Sequence, residues 1–123
     1  MFEVRFYRDR SGNSDIVDYL DELKKRGETS KRELVNRDKI LAYIGALEQF
    51  GTRIGLPMVR HIEGDLWELR PMSNRIFFFY WREKQYVLLH HFIKKSQKTP
   101  RKEIAKAKAK MDDFLERYGE NDT

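Results

Sequence analysis

Between residues 58 and 93 the chain reverses direction every few residues, and this limits its fold more than any other feature. Met58–Ile62 and Leu66–Arg70 read as short strands, with Trp67 and Leu69 on one face of the second and Glu68 and Arg70 on the other. Arg75–Trp81 reads as a third strand, almost wholly aromatic, and Tyr86–Ile93 as a fourth. The connections between them are Glu63-Gly64-Asp65, Pro71–Asn74 and Arg82–Gln85. A parallel return needs a connection of about a dozen residues or more, so these strands are predicted to pair as an antiparallel meander.

The rest of the chain must cover this sheet. Phe2, Val4 and Phe6 alternate with Glu3, Arg5 and Tyr7, predicting an opening strand, and Gly12 marks a turn. From Ser14 the pattern becomes helical, with Ile16, Val17, Leu20 and Leu23 on one side, Asp15 in the first turn and Lys24–Arg26 in the last. Gly27 stops that helix, and Ser30-Lys31-Arg32-Glu33 reads as a capping box that starts a second one. Leu34, Leu41, Ile44 and Leu47 give the second helix an apolar stripe, and Gly51 ends it after Phe50. Thr99 is predicted to cap a last helix with Pro100 at its first position, Ile104, Met111, Phe114, Leu115 and Tyr118 on its apolar side and Gly119 at its stop. Residues 120–123 are expected to fray. The order β-α-α-β-β-β-β-α predicts one α+β domain over residues 1–123. It consists of a small antiparallel sheet with a mixed edge, an N-terminal helical hairpin on one face and a C-terminal helix.

Several classes of chemistry are excluded at once. The chain has no cysteine, so disulfides, thiolate catalysis and cysteine-ligated zinc are absent, which fits a reducing cytoplasm. Charges follow Met1–Tyr7 directly, so no signal peptide is expected there. The longest apolar run, Ile76–Trp81, falls far short of the roughly 20 residues a membrane span needs, and a soluble chain is predicted. His61, His90 and His91 lack metal-ligand spacing, and neither a glycine-rich phosphate loop nor a Ser/His/Asp or paired-carboxylate constellation is present. No metal or cofactor is expected.

What remains is positive charge, and it is concentrated. Residues 94–110 hold eight cations, from Lys94, Lys95 and Lys98 to Lys110, against the single acid Glu103, although the whole chain nets only +5. An anionic partner is implied, nucleic acid first. Arg70 and Arg75 stand at the two ends of one tight turn, where like charges across a strand pair are unfavourable unless an anion sits between them. Solvated arginines at a hairpin mouth, each satisfied by Glu68 or by water, are the bland alternative. His90 and His91 must face opposite sides of a regular strand, so one of them is expected in the core and the other near the lysines. Cleavage of RNA suits this inventory, because the 2′-OH is an internal nucleophile and the protein need only move protons and neutralise the phosphorane.

The order of Leu66-Trp67-Glu68-Leu69-Arg70, Arg75-Ile76, His90-His91-Phe92-Ile93-Lys94-Lys95-Ser96-Gln97-Lys98-Thr99-Pro100, then Glu103-Ile104 and Ala107, resembles the phage-derived HigB-like branch of the RelE/ParE toxin superfamily. The resemblance implies the toxin of a type II toxin–antitoxin pair, a metal-independent endoribonuclease acting on mRNA at the ribosome. Carried over by position, Arg70 and Arg75 would hold the scissile phosphate, while Lys94, Lys95 and Lys98 would stabilise charge and move protons. His91 is the histidine carried as catalytic, with His90 or a lysine left open as general acid or base. Tyr118 is the one tyrosine late in the chain where several relatives place a catalytic one, without a motif to support it. Arg101, Lys102 and Lys106 would extend the cationic surface along the RNA. The implied partner is a small helix-turn-helix antitoxin, through which alone operator DNA would be bound. A ParE-like inhibitor of DNA gyrase, lacking nuclease activity, is the rival within the same fold.

Overall fold

The computed structural model describes residues 1–119; the expected fraying of residues 120–123 lies outside them. Strand β1 (Glu3–Phe6) is followed by helix α1 (Asp15–Arg26), helix α2 (Lys31–Phe50) and a 3₁₀ turn (Gly51–Ile54). Strands β2 (Val59–Glu63), β3 (Leu66–Leu69), β4 (Asn74–Tyr80) and β5 (Gln85–Ile93) follow, and helix α3 (Arg101–Tyr118) ends the fold. The sheet order is β1-β5-β4-β3-β2, with β2 to β5 an antiparallel meander and β1 added parallel to β5 at one edge.

Helices cover both faces. Alternation along β1 sends Phe2, Val4 and Phe6 to the α1–α2 side and Tyr7 to the α3 side. Strand β4 explains its aromatic sequence the same way: Ile76 and Phe78 enter the core under α1 and α2, Phe77 and Phe79 the core under α3. All four are almost fully buried, so these rings are core and offer no stacking platform. The guanidinium of Arg5 lies 5.1 Å from the ring centres of both Phe114 and Tyr118, a cation–π contact that fastens β1 to the end of α3.

Of the two expected caps, the one at Ser30 holds and the one at Thr99 fails, while Ser14 supplies a third. Ser14 Oγ accepts from the Val17 N–H and Ser30 Oγ from the Glu33 N–H. The Glu33 carboxylate was expected to reach back to its own cap and instead lies 3.5 Å from Arg26. At α3 the cap position is Pro100, whose φ of −64° already suits helix entry, and Thr99 Oγ donates instead to Glu68 at 3.5 Å. The apolar stripe of α2 also differs from expectation. Ile40, Ile44 and Leu47 are its buried residues, whereas Leu34 and Leu41 are 41% and 38% exposed. At about 100° per residue, Leu41 sits roughly 100° and Leu34 roughly 120° around the helix from Ile40. On α3, Ala107 is buried with Ile104 and Phe114, and Leu115 lies at the surface.

Two local features fix the chain's path. Gly51 has φ 66°, and a Cβ there would stand 2.8 Å from both the Phe2 ring and the Tyr86 hydroxyl, so both conformation and space require glycine. The β4–β5 turn lacks that relief, because Glu83 and Lys84 take φ of 53° and 59°. Such left-handed residues are strained, so Lys84→Gly is expected to raise stability by about 1 kcal/mol net of the extra chain entropy, read as a higher Tm in thermal denaturation.

A bulge in β5 decides where its histidines point. Phe77 pairs with His90 but Phe78 with Leu88, leaving Leu89 as the extra residue. Leu89 therefore joins His90 on the α3 side, and His91 is turned to the α1–α2 side.

Candidate active site

The α3 face of the sheet is not covered to its end. Helix α3 begins only at Arg101, and the exposed corner is filled by the ends of β3, β4 and β5 and by the loop of residues 94–100. Leu69 pairs with Ile76 and Arg75 with Phe92, and one further step of that register sets Arg70 opposite Arg75. Side chains two residues apart share a face, which adds Glu68 below Arg70 and Arg60 beside Glu68 on β2. The resulting cleft is lined by Arg60, Glu68, Arg70, Arg75 and the 94–100 loop, and brings Arg70, Arg75, Lys94, Lys95 and Lys98 together. The Lys94 N–H donates to the Ser73 carbonyl at 2.8 Å, which ties the start of the lysine loop to the β3–β4 turn.

The two arginines are held differently. Arg75 is 7% exposed, and its Nη1 donates to the carbonyls of Met72 (2.9 Å) and Asn74 (2.7 Å). It therefore braces the turn whose Met72 takes φ of 57°. Burial, then the neighbouring Arg70 charge, pushes its guanidinium below the usual value, with Glu68 opposing. Arg70 is freer. Its buried Nε has no hydrogen-bond partner among the described residues and stands 3.6 Å from Glu68 Oε1. An unmade bond of this kind costs about 1–3 kcal/mol, which an anion entering the cleft would relieve.

From the sequence, Glu68 counts only as a counter-charge for the arginines, not as a residue of the site. It is 2% exposed, 3.6 Å from Arg70 and 3.9 Å from Arg75, and it accepts from Thr99. Burial pushes its carboxyl up, against the pull of Arg75, Arg70 and Arg60. The signal was the spacing itself, since a period of two places Glu68 on the face of Arg70. Arg60, on a short exposed strand, gave no comparable signal.

The basic run divides. Lys108 and Arg101 both bind Glu63, and Lys110 binds Asp15 and the His90 ring. Lys106 lies 3.9 Å from Glu103. Lys94, Lys95 and Lys98 in the loop, and Lys102 in the first turn of α3, have no carboxylate within ion-pair distance among the described residues, so the unpaired charge gathers at the loop and the start of the helix. Arg101 borders a groove on the β2 side of the cleft and Lys102 a groove on the β5 side, while Lys106 lines neither.

Neither histidine enters the cleft. His90 lies on its face but is buried against α3, Nε2 2.8 Å from Glu103 Oε1 and Nδ1 3.2 Å from Asp15 Oδ2. Burial pushes the Asp15 carboxyl up, yet the His90 ring, the Lys110 charge and the His91 N–H outweigh it and hold it at about 2. His91, expected in the catalytic group, lies on the opposite face. Its ring stacks on Tyr19 at 4.1 Å, and its Nε2 is 3.0 Å from Asn74 Oδ1. Burial lowers its pKa to about 4, against Asp15, so near neutral pH the ring is uncharged. Asn74 Nδ2 in turn donates to Asn36, and Asn36 to the Tyr19 hydroxyl, closing a polar ring behind the β3–β4 turn. Tyr118 packs against Phe114 and Arg5 at the far end of α3.

The family model described as Phage derived protein Gp49-like (DUF891) matches residues 18–112, a span that holds every lining residue of the cleft. No curated protein matches the chain.

Proposed function

The chain belongs to the phage-derived Gp49-like family, a toxin-like family of toxin–antitoxin systems, and we propose that it is the toxin of such a pair and cleaves mRNA. In this reading it stands with the HigB-like branch of the RelE/ParE toxins, acts on ribosome-bound message without a metal, and is inhibited by a helix-turn-helix antitoxin. The observation that carries the proposal is the convergence of Arg60, Arg70, Arg75, Lys94, Lys95 and Lys98 around one buried carboxylate in one open cleft. Six cations against one acid leave a strong excess of positive charge where a phosphodiester fits.

The chemistry follows from the charge. The 2′-oxygen attacks phosphorus as its proton passes to water, and the P–O5′ bond breaks. The Arg70 fork and the remaining ammonium groups neutralise the phosphorane, and a protonated lysine gives its proton to the departing 5′-oxygen. The products are a 2′,3′-cyclic phosphate and a free 5′-hydroxyl. Glu68 is a positioning residue here: it keeps two like-charged guanidinium groups side by side before substrate arrives.

The test is to add the protein to translating messages and map the new ends. Fragments ending in a 2′,3′-cyclic or 3′ phosphate are expected. Intact messages together with gyrase-dependent DNA breaks would replace the nuclease with the gyrase inhibitor.

A further inference from the structure

The cleft does not end at the lysine loop. A second groove, between α1 and the N-terminal end of α3, shares Phe92, Lys95, Ser96 and Pro100 with it. The floor of that groove is apolar and aromatic: Tyr19, His91, Phe92 and Ile93, with Ile93 48% exposed. Its lining also carries Lys95 and Lys102, together with Glu103, whose carboxylate is engaged by the His90 ring. The Tyr19 and His91 rings lie nearly parallel, 24° apart, and are fixed from behind by the Asn36–Asn74 pair. A pair of flat rings locked in place thus lies directly beside the cationic cleft.

We infer that this groove seats the base of the nucleotide next to the scissile phosphate, stacked against the Tyr19–His91 shelf while Lys95 and Lys102 hold its own phosphate. The inference rests on the RNA reading above and adds to it a substrate class: single-stranded RNA with an unpaired, splayed base at one fixed position beside the cut. An uncharged His91 ring suits this role, since a flat neutral surface stacks on any base without needing a counter-charge. The shelf thus accounts for a histidine that the cleavage chemistry leaves unused. The phenylalanine rings of β4 cannot substitute, because Phe77, Phe78 and Phe79 are buried beneath helices.

The probe is an RNA trinucleotide made uncleavable by 2′-deoxy substitution, with versions carrying an abasic residue at either end, and the readout is affinity by fluorescence anisotropy. For the wild-type protein, removing the base at one end, and not the other, is expected to weaken binding by between about 5- and 150-fold, the range of one base–aromatic stack. Tyr19→Leu, which keeps apolar bulk, should weaken the intact trinucleotide by a similar factor and abolish the difference between intact and abasic forms. Equal binding of all three RNAs by the wild type overturns the shelf even if Tyr19→Leu does not fold, and so does a Tyr19→Leu protein that still distinguishes them. Arg70→Ala separates the two proposals. If the intact trinucleotide loses affinity in that variant while abasic forms bind the wild type normally, the cleft reading stands and the shelf falls. If the wild type binds no trinucleotide, or binds it equally without Arg70, both fall.

Discussion

Arg70→Ala is expected to lower RNA cleavage by about 10²–10³-fold, the usual loss when one donor to a developing anion is removed, with little change in stability. The stability half of this prediction comes from the pairing of the side chain. Its Nε makes no hydrogen bond among the described residues, so truncation removes an unsatisfied donor and a like-charge neighbour of Arg75, which offsets the loss of its 3.6 Å ion pair with Glu68. Arg75→Ala should behave differently. It breaks two bonds to turn carbonyls and leaves Glu68 with one fewer cation in a buried site, so activity and roughly 3 kcal/mol or more of stability are lost together. Cleavage rates and thermal midpoints measured on both variants separate the residue that meets substrate from the one that holds the turn. Arg70→Lys keeps the charge but not the two-pronged donor, so it should recover only part of the rate.

The second large effect is on acid stability. The His91 pKa falls from its ordinary 6.5 to about 4 in the fold, chiefly by burial. A depressed folded value means that the unfolded chain takes up the proton first. His91 therefore contributes nothing unfavourable above pH 6.5, and stability is lost progressively as pH falls from 6.5 toward 4, by about 3 kcal/mol at the end of that window. Glu68 acts with the opposite sign, because its raised carboxyl contributes stability at low pH that disappears as pH rises through its folded value. Asp15, held at about 2, still carries its charge across most of the same window. Comparing wild type with His91→Gln isolates the histidine: denaturant midpoints measured between pH 7 and 4 should slope steeply for the first and much less for the second. Parallel slopes would mean that His91 is not shielded from protons in the fold.

The meander, both helices of the N-terminal hairpin and the α+β order were legible because short turns and serine caps are local signals. Ser30 caps as read, and Ser14, where the helical pattern begins, caps α1. What failed were positions where a neighbour distant in sequence intervenes. Thr99 gave up its cap because Glu68 lies within reach and Pro100 enters the helix unaided. Leu34 and Leu41 look like core in a helical pattern, but the sheet meets α2 on the side of Ile40, Ile44 and Leu47. The histidines show the limit most clearly. Strict alternation from buried Leu88 would put His91 on the cleft face, and the single extra residue Leu89 exchanges the two rings. Periodicity alone cannot reveal such a bulge.

The arginines and lysines of the site were legible for the opposite reason. Arg70 and Arg75 are opposed by a turn of four residues, and the lysine loop directly follows the strand that pairs with Arg75. Their convergence needs only local register. The pairing of Arg101, Lys108 and Lys110 with Glu63 and Asp15 depends on how α3 lies across the sheet, and net charge along the sequence could not separate those neutralised cations from the free ones.

The central claim, that the cleft cations neutralise a phosphodiester backbone, is tested most directly by the salt dependence of binding to an uncleavable single-stranded RNA. Each neutralised phosphate adds about 0.7 to the slope of log affinity against log salt. Replacing Lys94, Lys95 and Lys98 together by alanine is predicted to flatten that slope by about 2 if each of the three meets one phosphate. An unchanged slope in that variant would contradict the claim.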